Sequence, residues 1–122
     1  MYEHFADELK RALEQGRAQP YETSETADIE GWGFRRGDCH NNAANYVRLH
    51  ADATVIQGWL LPYGNAWAKH SIVYAADHRF IDVTERDDYK PFPFVPHEAV
   101  AQFCDVPFDQ MPNVVPHYSG RV

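Results

Sequence analysis

A cysteine, a histidine and an aspartate occur along this chain in an order that suits nucleophilic catalysis. Cys39 falls in the run Gly37-Asp38-Cys39-His40-Asn41-Asn42-Ala43-Ala44-Asn45-Tyr46, at the predicted start of a helix. His70 opens one strand-like run and Asp82 lies inside the next. A thiol attacks a carbonyl carbon as the thiolate, a form favoured by a helix N-terminus or a nearby imidazole. The imidazole serves as base in one tautomer, which a carboxylate on a neighbouring strand selects. Cys39, His70 and Asp82 are therefore the candidate nucleophile, base and orienting acid. Each also has a plainer reading. A cysteine on an apolar helix face is often a small core residue, and seven histidines make some helix–strand pairing fall out by chance.

The elements that must position these groups follow from periodicity. Residues 2–15 predict a packing helix, with Tyr2, Phe5, Leu9 and Leu13 on one stripe and Gly16 and Pro20 ending it. Residues 18–37 lose the pattern, and Trp32 and Phe34 alternate there with Gly31 and Gly33 as loop anchors. Asp38 is the predicted N-cap of a helix running to about residue 51, with Cys39, Ala43, Tyr46, Val47 and His50 on one face. That places the thiol where backbone N–H groups lack helical partners and the positive end of the helix dipole acts.

Three strands are predicted next, at residues 54–61, 70–75 and 79–84. The last two form a hairpin through Ala76, Asp77 and His78, reached from a loop at 62–69. His70 and Asp82 are 82 − 70 = 12 positions apart across that turn. An antiparallel pair can set such residues side by side, whereas a slip of one residue sends them to opposite faces. A short helix is expected near residues 97–103, carrying Cys104 just beyond it as a buried thiol. The Pro-containing tail is expected to wrap the surface without regular structure. Trp59, Tyr63 and Trp67 are either core aromatics or the lining of a substrate groove.

Gly37-Asp38-Cys39 at a helix start, His70 at a strand start and then Ile81-Asp82-Val83-Thr84 together resemble the core of the transglutaminase-like group within the papain-like superfamily. Members of that group show a Cys at a helix N-terminus, a His-Ala-Trp strand and an Asp-Pro-Thr motif on the next strand. The resemblance spans residues 33–84, under half the chain. Cys39 matches the family nucleophile, His70 the base, Asp82 the orienting acid and Thr84 the threonine two positions after it. Departures are His70-Ser71-Ile72 in the strand motif, Val83 where proline is common, and His40 where an aromatic often follows the Cys. Length alone predicts a single domain over residues 1–122, and the resemblance implies an α+β fold with the Cys-bearing helix packed on a small antiparallel sheet. It also implies an oxyanion site. The backbone N–H of Cys39 is its first donor. Papain-like enzymes often place a glutamine six residues before the Cys, but Gly33 stands here. The Trp32 indole N–H is the substitute candidate, with loop anchoring as its alternative role.

Composition narrows the partners. At 122 residues with 44% apolar and 14% aromatic side chains, the chain can bury a core without staples. Eleven Lys and Arg against 18 Asp and Glu give a net charge of −7. That balance argues against nucleic acid and against an anionic membrane surface, both of which need clustered cations. Two cysteines far apart do not suggest a disulfide framework. No apolar leader follows Met1 and no run reaches membrane-spanning length, so a cytoplasmic protein is expected.

The expected activity is that of a cysteine-nucleophile hydrolase, a peptidase or amidase, acting on a peptide, protein or small amide without cofactor or metal. Two alternatives remain beside it. One is a zinc site drawn from Cys39, His40, His70 and Asp82, which are chemically competent ligands although Cys39 and His40 diverge on a helix. The other is a binding module on the same fold without the chemistry, docking through the Pro/Phe run at residues 91–96.

Overall fold

In the computed structural model, which describes residues 3–23, 38–64, 66–84 and 92–117, the first element is helix α1 (Glu3–Glu14). Phe5, Leu9 and Ala12 recur at helical spacing and are fully buried, each large apolar side chain contributing ~1.5–3 kcal/mol on leaving water. Gly16, at φ +75°, ends the helix. Its N–H donates to the Leu13 carbonyl (3.2 Å) and that of Arg17 to Ala12 (2.8 Å). This is the double bond of a Schellman stop, for which a left-handed glycine is suited. Further along come β1 (Glu22–Thr23), α2 (Cys39–Leu49), β2 (Thr54–Leu60), β3 (Ala66–Tyr74), β4 (Phe80–Asp82), β5 (Phe94–Pro96) and β6 (Val114–Pro116). Among the described residues the architecture is α+β, with two α-helices and a small sheet.

The chain divides into two compact units, one of Met1–Gln19, Gln57–Lys69 and Phe92–Val122, the other of Pro20–Ile56 and His70–Pro91. In the first, β2 pairs antiparallel with β5 (Gly58↔Pro96 to Leu60↔Phe94), and β3 with β6 (Ala66↔Pro116 to Ala68↔Val114). Its core joins Phe5, Leu9 and Ala12 of α1 to Trp59, Trp67, Val95, Val100, Met111 and Val115. Trp59 and Trp67 are fully buried, so they are core residues and not groove lining. Each indole N–H is satisfied as a buried one should be: Trp59 donates to His97 Nδ1 (3.3 Å) and Trp67 to His117 Nδ1 (3.2 Å).

In the second unit β4 is flanked on both sides. It pairs antiparallel with β3 (Val73↔Ile81, Tyr74↔Phe80) and parallel with β1 (Glu22↔Ile81, Thr23↔Asp82). Helix α2 packs on this sheet through Ala43, with Val73, Ala75, Ile81 and Val83 as buried partners and Tyr46, Val47 and Val55 at the margin.

Five expectations need correction. The sheet is mixed and not purely antiparallel, because the polar, exposed pair Glu22–Thr23, which carries no strand periodicity, joins β4 in parallel. Strand β3 begins at Ala66, inside the predicted loop, because β6 supplies the partner for Ala66–Ala68. That same pairing makes part of the tail regular. Residues 97–103 are not a helix but a 3-10 turn at His97–Ala99 followed by turns, and Cys104 is exposed.

Candidate active site

All the site residues described here belong to the second unit. His70 and Asp82 are carried by the two strands of the β3–β4 hairpin. Its turn is closed by Ala75 N–H to Arg79 (2.9 Å) and His78 N–H to Ala75 (2.9 Å), with His78 at φ 67°. The hairpin brings the two side chains together: His70 Nε2 lies 2.9 Å from Asp82 Oδ2. Asp82 is fully buried and His70 only 7% exposed. An isolated carboxylate there would be costly, so the remaining oxygen matters. It is satisfied, because Thr84 N–H donates to Asp82 Oδ1 (3.1 Å).

Cys39 is the first residue of α2 and is half-buried, with a free thiol. Its side chain lies close enough to His70 for the sulfur to favour the protonated ring. With Nε2–H donated to Asp82, Nδ1 is the ring nitrogen left with a lone pair for the thiol proton. Burial of the ring opposes its protonation, but the bonds and charges of Asp82 and Cys39 outweigh that and raise its pKa from 6.5 to about 9. The imidazole is thus placed to hold a proton between a carboxylate and a sulfur.

Asp38 occupies the N-cap position, yet its side chain makes no capping bond. Its carboxylate accepts from Asn41 Nδ2 instead, at 3.1 and 2.9 Å, while its carbonyl accepts the Asn42 N–H (2.9 Å). The expected arrangement, with the Asp38 charge against the first-turn amides, is therefore replaced by a side-chain bridge one turn long. Trp32, the candidate oxyanion donor, lies outside the described residues, as does Gly33.

His40 turns to the sheet, where Nδ1 is 2.5 Å from the Oγ of Ser71. With His40 so engaged and His70 held by Asp82, the four residues of the zinc alternative do not converge. Among the described residues no three His, Cys, Asp or Glu side chains are arranged to hold a metal ion.

One residue of the cluster reads from sequence as bonding within its own helix, and the structure gives it a different partner. Asn42 is completely buried, and its Nδ2 donates to Thr84 Oγ1 (3.2 Å). The available signal was helical spacing. Positions 42 and 43 both share a face with Cys39, and a polar residue beside a core alanine on such a face needs a buried partner.

No helix among the described residues is long and apolar enough to cross a membrane. A scan against protein-family models and searches of the curated proteins and of the solved structures returned no match to this chain.

Proposed function

We propose that this chain is a papain-like cysteine hydrolase with a transglutaminase-like core, cleaving an amide or ester bond in a peptide, protein or small amide. The observation that carries the proposal is the single buried ring of His70, hydrogen-bonded to Asp82 at 2.9 Å and close enough to Cys39 for the sulfur to raise its pKa. A buried His–Asp pair by itself is common structural material. A partly exposed thiol beside the same ring, at a helix start, adds a reactive group that core packing does not call for.

In the proposed reaction Cys39 Sγ, its proton held by His70, forms a bond to the carbonyl carbon, whose π electrons move to oxygen. When the carbonyl re-forms, the C–N or C–O bond breaks and the imidazolium proton goes to the leaving group. His70 then takes a proton from water as the oxygen adds to the acyl carbon. The C–S bond breaks and the thiol is restored. Asp82 keeps Nε2–H pointed away from sulfur throughout and stabilises the imidazolium. Two free thiols suit a reducing compartment such as the cytoplasm.

Iodoacetamide labelling followed by peptide mapping tests the reading. At neutral pH Cys39 is expected to react at least ~10-fold faster than the exposed Cys104, and His70→Ala is expected to abolish that excess. Equal rates at the two cysteines, or an excess that survives His70→Ala, would overturn it.

A further inference from the structure

We infer that Asn42 is a positioning residue for the candidate acid, tying the helix that carries Cys39 to the chain segment that carries Asp82 through the hydroxyl of Thr84. This rests on the cysteine-hydrolase reading and deepens it.

The inference starts from a closed circuit of contacts. Cys39 stands close enough to His70 to raise the pKa of the ring, and His70 bonds Asp82 Oδ2. Asp82 Oδ1 accepts the Thr84 N–H, and Thr84 Oγ1 accepts from Asn42 Nδ2. Asn42 returns to Cys39 through three residues of α2, a separation that leaves both on one helix face. Every member from His70 to Asn42 is buried. Buried hydrogen bonds of this kind fix orientation strongly, because no water replaces a lost partner.

The circuit matters because the Cys39–His70 contact joins two elements that have no backbone pairing with each other. Its length otherwise depends on the packing of Ala43, Tyr46 and Val47 against the sheet and on the His40–Ser71 hydrogen bond, none of which involves Asp82 or its neighbour Thr84. Asn42 supplies a directional link one turn away from the sulfur. Thr84 passes it on, since its backbone N–H orients the carboxylate while its side chain is gripped by the helix. Outer partners that orient a working side chain typically change its performance by ten-fold or more when removed.

The test compares Asn42→Ala, Thr84→Val, the double variant, and Thr84→Ser, which keeps the acceptor. Two readouts are taken: Cys39 alkylation by iodoacetamide as a function of pH, and titration of the His70 ring followed by NMR. Far-UV circular dichroism confirms folding. Asn42→Ala and Thr84→Val are expected to slow neutral-pH alkylation ~3- to 10-fold and to lower the His70 midpoint by about half a pH unit or more. The double variant should be no worse than the worse single one, because both break the same link. Thr84→Ser should recover the wild-type profile. A loss of packing alone would not be rescued by serine, which lacks the methyl group.

Folded Asn42→Ala and Thr84→Val proteins with unchanged alkylation profiles and unchanged His70 titration would overturn the positioning role while leaving the hydrolase reading intact. Conversely, a wild-type Cys39 no more reactive than Cys104 would remove the hydrolase reading, and the His70 titration would still decide whether Asn42 positions Asp82. If Asn42→Ala does not fold, the Thr84→Val and Thr84→Ser pair carries the comparison.

Discussion

His70 and Asp82 are diagonal partners across the β3–β4 hairpin. Carrying the Val73↔Ile81 pairing along the strands puts Asp82 opposite Ile72, with His70 two residues further on. Positions two apart share a side of the pleat and lie within reach of a long or aromatic side chain. The ring spans the diagonal and ends 2.9 Å from the carboxylate. A slip of one residue would separate the two groups completely. The register is pinned by the tight turn at Ala75 to Arg79, by burial of Val73 and Ile81, and by the Tyr74–Phe80 ring contact with centroids 4.6 Å apart.

Replacing Asp82 by Asn removes the negative charge while nearly preserving shape. Burial disfavours the protonated ring, and Asp82 is the chief group opposing that. The His70 pKa is therefore expected to fall from about 9 by about one to three units, the usual effect of an adjacent opposite charge. Hydrolysis measured against pH should show its alkaline limb moving down by the same amount. A limb that stays in place would show that Asp82 does not control the ring.

Fold stability should depend on the same proton. In the unfolded chain the ring titrates near 6.5, and in the folded protein near 9, so the native state binds the proton more tightly. The stabilisation is fully present below about pH 6.5 and is lost as the pH rises through about 9. With ~1.4 kcal/mol per pKa unit, urea midpoints are expected to fall measurably across that window. His70→Gln should flatten the decline. A midpoint equally pH-dependent in His70→Gln would place the titrating group elsewhere.

Gly58 should tolerate no side chain. A Cβ there would collide with the Val95 carbonyl and stand 2.7 Å from the Phe94 ring and 2.9 Å from the Pro96 Cα. Backbone and a fully buried ring cannot move aside cheaply. Gly58→Ala is expected to destabilise the protein by about 1–3 kcal/mol or more, read as a lower urea midpoint. An unchanged midpoint would mean that β5 can shift away from β2.

Local pattern carried the reading of several elements. Helix α1 was legible from the spacing of Phe5 and Leu9 and from Gly16 as its stop. The start of α2 at Cys39 and the β3–β4 hairpin were legible from a cap-like aspartate and from two β-branched runs around a short turn. Each of these is decided by neighbours a few residues apart, which is the range over which sequence pattern acts.

Tertiary structure alone decided the rest, because it depends on partners distant in the chain. The parallel strand Glu22–Thr23 exists only because β4 offers it an edge. Ala66–Lys69 become strand through a tail segment some fifty positions away, which meets them at Val114–Pro116. At the site, residue types announced a thiol, an imidazole and a carboxylate, but their convergence required a register that composition does not encode. The engagement of Asp38 by Asn41, of His40 by Ser71 and of Asn42 by Thr84 was likewise unreadable beforehand. A polar side chain's partner is chosen by which buried donors and acceptors end up within 3 Å or so of it, and that is a property of the folded arrangement.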